Sequence, residues 1–242
     1  ISEGTKSGGF FTGAASNQLQ LLPYDSETLT AFELGIKGSL ENTALSYEAS
    51  LFYYDYQDVQ TFIADNSGPV PVQRLSNVDS ADLYGVDVAV VWKPAVIDGL
   101  TLSSNAGVLC TELSEFNGAA SGLIPKGNDM PDAPELTFQA AINYQRQIGT
   151  DLELSLSVDS RYQGASYRDA ANDPLLESNS YWLTNANAKL MFPHGWEVSL
   201  WGKNITDRRY LSQGFNQSSL GNGYRVYGAP KTYGLTVRKH FE

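Results

Sequence analysis

Lys231-Thr232-Tyr233-Gly234-Leu235-Thr236-Val237-Arg238-Lys239-His240-Phe241 alternates apolar and polar residues almost without interruption. Period-two alternation sends Tyr233, Leu235, Val237 and Phe241 to one face of a strand and Thr232, Thr236, Arg238 and His240 to the other. One face suits lipid and the other water. A half-buried strand of a soluble sandwich reads the same way, so repetition has to decide between them.

Working outward, the pattern recurs along the whole chain. In 151–162, Leu152, Leu154, Leu156 and Val158 oppose Glu153, Ser155, Ser157, Asp159 and Arg161. Phe138 and Ile142 oppose Gln139 and Asn143, Leu34 and Ile36 oppose Glu33 and Lys37, and Val86, Val88 and Val90 continue the apolar set. Ten such segments are predicted, at 1–6, 26–40, 44–63, 74–94, 99–112, 134–148, 151–163, 180–192, 196–210 and 225–241. Many reach the length of about 9 to 11 residues that a tilted strand needs to cross a bilayer, against roughly 5 to 6 in globular strands. The joins alternate as well. Short ones at Glu41-Asn42-Thr43, 95–98, Gly149-Thr150 and Pro193-His194-Gly195 take turns with long ones at 8–25, 64–73, 113–133, 164–179 and 211–224. Short turns at one end and long loops at the other are the layout of an outer-membrane barrel. The expected fold is therefore all-β, an antiparallel up-and-down transmembrane β-barrel, with the apolar set facing lipid, the polar set facing inward and Leu154 near the membrane midplane.

Composition excludes several classes. No run of 18 apolar residues is present, so no transmembrane helix is expected, and no basic flank with an apolar centre marks a signal peptide. The chain opens on Ile1-Ser2-Glu3 inside an expected strand, which reads as a fragment. A net charge of −11 offers no basic footprint for nucleic acid. The loop carboxylates Asp25, Asp65, Asp129, Asp132, Asp169, Asp173 and Glu177 either keep the loops soluble or bridge divalent cations to an anionic leaflet, and the spacing of a calcium loop is missing. Cys110 stands alone, His194 and His240 are the only histidines, and no Gly-x-Ser-x-Gly occurs. No cofactor, metal site or enzymatic activity is expected.

Several stretches carry a resemblance. Glu3-Gly4-Thr5-Lys6-Ser7-Gly8-Gly9-Phe10, Glu33-Leu34-Gly35-Ile36-Lys37, Leu51-Phe52-Tyr53-Tyr54-Asp55-Tyr56-Gln57-Asp58-Val59-Gln60, Gly85-Val86-Asp87, and above all Gly202-Lys203-Asn204-Ile205-Thr206-Asp207-Arg208-Arg209-Tyr210 resemble successive barrel segments of TonB-dependent outer-membrane receptors, in family order. Residues 230–241 resemble the closing strand, although Glu242 follows the usual terminal aromatic. The resemblance implies about ten strands of a barrel of about 22, with residues 1–242 as the C-terminal portion and the family's N-terminal plug absent from this sequence. It also implies a location in the bacterial outer membrane, contact with its lipid, and active uptake of a scarce nutrient such as a ferric siderophore, energised by the TonB complex through the plug. The alternative is a passive porin-like channel. Ligand contacts are then expected at Phe10, Phe11, Arg161, Tyr167, Arg168, Phe215, Tyr224 and Arg225. Phe10 and Phe11 could equally pack on the plug, and Arg161 could equally pair with Asp159 or a neighbouring strand's carboxylate.

The motif residues also have plain structural readings. Asn204 and Asp207 are expected to close a turn, with Tyr210 at the lipid interface and Arg208 and Arg209 paired with loop carboxylates or lipid phosphates. The Tyr53-Tyr54-Asp55-Tyr56 run reads as an aromatic girdle, and Gly85 as a site of close strand packing. Because bare strand edges are costly in hydrocarbon, 1–6 is expected to pair with 225–241 and close a small ten-stranded barrel, or else the edges meet a missing segment or those of a second copy.

Overall fold

The computed structural model describes residues 1–13, 15, 17–65, 69, 72–118, 122–217 and 221–241. In chain order the strands are β1 (Ser2–Lys6), β2 (Gly9–Phe10), β3 (Pro23–Tyr24), β4 (Glu27–Leu40), β5 (Leu45–Asp65), β6 (Val72–Trp92), β7 (Leu100–Leu113), β8 (Phe116–Gly118) and β9 (Gly122–Ile124). They continue with β10 (Leu136–Ile148), β11 (Leu152–Gln163), β12 (Ser166–Tyr167), β13 (Glu177–Ser178), β14 (Tyr181–Phe192), β15 (Trp196–Lys203), β16 (Leu211–Gln217), β17 (Asn222–Tyr227) and β18 (Thr232–Lys239). Helix is confined to short 3-10 turns among the described residues.

Ten of these strands form a single sheet in the order β1-β4-β5-β6-β7-β10-β11-β14-β15-β18, and each neighbouring pair is antiparallel. This is the expected up-and-down order. The remaining strands make small hairpins inside the long loops: β2 with β3, β8 with β9, β12 with β13, and β16 with β17. The short connections are 41–44, 93–99, 149–151 and 193–195. The turn expected at Gly149-Thr150 is one residue longer, because Ile148 and Leu152 are the last pair of the ladder. Most of the expected 64–73 loop is absorbed into β5 and β6, and residues 66–68, 70 and 71 lie outside the described set.

Two expected strands are too long. β15 stops at Lys203 rather than at residue 210, and β18 begins at Thr232 rather than at residue 225. Asn204 and Asp207 take left-handed backbone angles (φ 46° and 54°), which break the ladder, and Pro230 has no N–H to donate to one. The intervening 211–217 and 222–227 pair instead with each other as the β16–β17 hairpin. Self-closure is not shown among the described residues, where β1 pairs with β4 and β18 with β15 at the two ends of the sheet order.

Directly paired residues share a face, so the register assigns sides. Phe138 aligns with Tyr162 and Ala106, Ile142 with Val158 and Leu102, and Leu200 with Ala188 and Leu235. Leu34 aligns with Leu51 and, through it, with Val86, while Ile36 joins Ala49 and Val88 in the next rung. Together these rungs make one continuous apolar face. Its side chains stand far out, with Leu34 73%, Leu235 66% and Leu200 60% exposed, as befits a surface that lipid covers.

The opposite face aligns Lys37 with Glu48, Gln139 with Arg161 and Asn105, Asn143 with Ser157, and Asp159 with Asn185. Glu197 sits there near the short turns, with Lys189 at 3.8 Å, Arg238 at 3.6 Å and His240 at 3.9 Å. The expected facing therefore holds. One depth assignment does not, because Leu154 lies directly across from Arg146, whose charge belongs near an interface. Val158, midway along β11 and paired with Ile142 and Ala186, lies farther from the short turn than Leu154 does.

The tyrosine run divides between the two sides. Tyr53 joins Phe32 on the apolar face, with ring centroids 6.2 Å apart, whereas Tyr54 points the other way and donates to Glu33. A girdle therefore uses only alternate members of the run. Gly85 does mark close packing, since a Cβ there would stand 2.1 Å from the Val108 carbonyl and 2.6 Å from the Phe52 ring.

Beyond the strands that flank them, β5 and β6 run on together toward the long loops. There Val59, Ile63 and Val78 are buried with Leu113, Ile124 and Ala170 in a compact apolar cluster. That cluster is a platform on which loop residues can be held in place.

Candidate functional site at the long-loop rim

The site begins where β15 ends. Asn204 is 6% exposed and uses its whole amide. Its Nδ2 donates to the carbonyls of Arg208 (2.9 Å) and Ala229 (3.0 Å), while its Oδ1 accepts from the Arg208 N–H (2.8 Å). Its own N–H donates to Asn185 Oδ1 (3.0 Å), and Asn185 Nδ2 donates to Asp159 (2.8 Å). Asp207 accepts from the Lys231 N–H (3.0 Å). That bond, joined by the Lys231 charge, holds its carboxyl below the usual carboxylate value. The motif is thus a staple that fixes 204–208 to β14 and to the start of β18.

The staple aims the next residues at the polar side. Tyr210 does not reach lipid; it stacks on buried Tyr181 at 4.7 Å, and Gly228 leaves it room, since a Cβ there would lie 1.9 Å from its ring. Arg208 and Arg209 make no ion pair among the described residues, so the loop carboxylates expected as their partners are not used. Arg208 donates to the Ser180 carbonyl (3.0 Å) and the Arg209 guanidinium lies 3.7 Å from the Tyr227 ring centroid. Backbone and ring partners leave much of each guanidinium free to donate elsewhere.

Hairpin β16–β17 packs against the 3-10 turn Pro174–Leu176, whose first N–H groups are capped by Asp173 accepting from Leu175 N (2.8 Å). Asn216 also donates to Asp173, and Arg225 Nε donates to the Leu175 carbonyl (2.6 Å). Between turn and hairpin lies a groove of about 450 Å³ lined by Leu175, Leu176, Phe215, Tyr224 and Arg225 among others. Phe215 and Tyr224 meet edge to face at 6.1 Å. Beside it a smaller pocket of about 180 Å³ is lined by Arg208, Arg209, Arg225, Tyr210, Tyr227 and Glu177 among others. Arg225 borders both.

Of the residues expected to contact ligand, Phe215, Tyr224 and Arg225 come together here. Arg168 is paired with Asp132 and donates through Nη2 to the Leu211 carbonyl (2.6 Å), which ties the hairpin to the neighbouring loop. Tyr167 belongs to β12, and its carbonyl accepts from Asp132 N (2.8 Å). Arg161 stands apart on the polar face in a concavity of about 390 Å³ with Glu48, Asp87 and Gln139. It pairs neither with Asp159, which is taken by Asn185, nor with another carboxylate among the described residues. Phe11 packs edge to face on Phe62 at 5.6 Å and Phe10 is 69% exposed, both far along the chain from the groove. Leu175, Leu176, Arg208 and Arg209 were not expected in a site. An apolar pair behind a proline in a polar loop was the one hint the sequence held.

Two long loops are laced together beneath the groove. Asn172 accepts from Asp129 N (2.8 Å) and donates to the Asp129 carbonyl (2.9 Å), and Asn128 Nδ2 donates to the Ala170 carbonyl (2.9 Å). Burial raises the Asp129 carboxyl, helped by the negative charge of Glu135. Burial also raises Asp169, partly offset by the Asp173 N–H it accepts. With both groups raised above the ordinary 3.8, the stabilisation from their neutral forms is complete below that value and is lost as pH rises through the folded-state values. Amide exchange in 128–132 and 169–173, corrected for intrinsic rates, is expected to quicken from pH 4 to pH 7, and the double variant Asp129→Asn, Asp169→Asn is expected to flatten that trend. Unchanged pH dependence in the double variant would assign it elsewhere.

Residues 2–205 match the family described as TonB dependent receptor-like, beta-barrel. The chain belongs to the TonB-dependent receptors. It is thus an outer-membrane barrel sequence of the Gram-negative type. Among curated proteins it is 25% identical to the pesticin receptor of Yersinia pestis, over 100% of this chain and 33% of that one. Among solved structures it resembles the ferric yersiniabactin uptake receptor FyuA from Yersinia pestis, with TM-score 0.78, 21% identity, and coverage of 100% of this chain and 34% of that one. It also resembles BauA, the ferric preacinetobactin receptor from Acinetobacter baumannii, with TM-score 0.64, 22% identity, and coverage of 97% and 32%. The chain spans about a third of the length of these relatives, and the structural likeness is one of fold.

Proposed function

We propose that residues 1–242 form the C-terminal portion of a receptor barrel that takes up a scarce solute, such as a ferric siderophore, across the outer membrane with energy from the TonB complex. The observation that carries this reading is the groove of aromatic and aliphatic side chains flanked by free guanidinium groups, held by loop packing on the long-loop side. Long loops face outward in outer-membrane barrels, so the groove is where an external solute arrives. The names of the relatives, receptors for ferric yersiniabactin and ferric preacinetobactin, support the same solute class. The ends of the sheet order at β1 and β18 support membership of a wider barrel, because edge N–H and C=O groups in hydrocarbon need partner strands. The family's plug and coupling segment would supply the energised step.

The test compares uptake of iron-55 from a panel of iron-loaded chelators in cells with and without the gene, each with and without a functional TonB complex. Saturable uptake that disappears without TonB is the expected result. Uptake that persists without TonB and rises linearly with concentration would instead identify a passive porin-like channel.

A further inference from the structure

We infer that the rim site reads its solute in two parts, with the Arg208, Arg209 and Arg225 pocket binding an anionic head and the adjoining groove binding an apolar or aromatic body. The inference rests on the uptake reading above and narrows it to a solute class.

The chain carries a net charge of −11, yet three arginines line one small pocket with a single carboxylate residue, Glu177, among its described walls. Like charges gathered without counter-ions are costly unless something anionic shares them. Each guanidinium is also oriented in advance. The Ser180 carbonyl fixes Arg208, the Tyr227 ring fixes Arg209 and the Leu175 carbonyl fixes Arg225. A planar fork held by one or two partners keeps its other N–H groups for a carboxylate, sulfonate or phosphate, which it can bind in bidentate fashion. Preorganisation of this kind lowers the ordering cost of binding.

The pocket holds little more than the head group, and Arg225 leads from it directly into the groove of Leu175, Leu176, Phe215 and Tyr224. That continuity selects an amphipathic anion over a bare one. A lipid phosphate carries the same chemistry, but the Tyr210 stack on Tyr181 places the neighbouring chain at the polar face rather than at the lipid face. A diffusible solute is therefore the occupant.

The probe is 2-naphthoate, compared with neutral 2-naphthamide, by equilibrium dialysis against the full-length receptor in detergent free of lipopolysaccharide and at low salt. Saturable naphthoate binding is expected, weakened tenfold or more by Arg209→Gln, with partial recovery in Arg209→Lys and no change in naphthamide. Tyr224→Ser, an exposed position, is expected to weaken both probes. Equal losses of both probes in Arg209→Gln, or no saturable naphthoate binding, would overturn the two-part reading. Displacement of naphthoate by lipopolysaccharide would overturn the diffusible occupant. If cellular uptake remains TonB-dependent while Arg209→Gln leaves naphthoate binding unchanged, this inference fails and the uptake reading stands. If uptake is absent in the parent, the uptake reading itself fails.

Discussion

Arginine in place of Val158 is expected to destabilise the folded barrel by about 2 to 4 kcal/mol, and arginine in place of Ser157 by far less. The two residues are chain neighbours, so strand propensity and distance from the turns are nearly constant between them. What differs is the side. Val158 is 44% exposed on the apolar face, between Ile142 and Ala186 and about halfway along β11, where a guanidinium has the longest reach to either interface. Ser157 pairs with Asn143 and Asn187 on the polar face, where a charge keeps water and amide partners. Arginine at Leu154 should cost less than at Val158, because Arg146 across the ladder already lies at that depth. Reversible unfolding of the full-length receptor in lipid vesicles by denaturant measures all three. Equal losses at 157 and 158 would mean that the two faces have been assigned wrongly.

That comparison rests on the part of the molecule most open to sequence reading. Period-two alternation is a backbone property, so the side taken by Leu34, Ile142 or Leu235 follows from local order alone, and the register of the sheet agrees with it. Lengths of strands were less legible. Residues 204–210 and 225–231 keep some alternation, but the left-handed angles of Asn204 and Asp207 take the first stretch out of the ladder, and pairing in β17 and Pro230 take out the second. The site was legible in part for a related reason. Phe215, Tyr224 and Arg225 could be singled out as aromatic and charged loop residues, but their meeting with Leu175 depends on how one loop packs on another, over a separation of 50 residues for the Arg225 contact. Loop carboxylates were expected beside Arg208 and Arg209 because opposite charges abound in the loops, whereas the structure gives them a carbonyl and a ring. Tyr210 was assigned to lipid by residue type, and the room left by Gly228 turns it the other way.

Asn204→Ala is expected to cost about 2 to 4 kcal/mol, since it removes three part-buried side-chain bonds, to two carbonyls and one N–H, that tie the turn together. Alanine also fits the left-handed angle at this position less well than asparagine does, which adds a smaller penalty. Asn204→Gly separates the two effects, because it relieves the backbone while still losing the bonds, and should recover about 1 kcal/mol of the loss. Asp207→Asn serves as the control. It is exposed, and its bond to the Lys231 N–H can be accepted by an amide oxygen, so the change should cost far less than Asn204→Ala. Vesicle refolding titrations give the stability differences, and near-ultraviolet circular dichroism follows the Tyr181 and Tyr210 stack that the staple positions. Loss of the aromatic band in Asn204→Ala with its retention in Asp207→Asn would tie the family motif to the shape of the rim. Losses of equal size in the two variants would place the motif's importance in something other than this hydrogen-bonded turn.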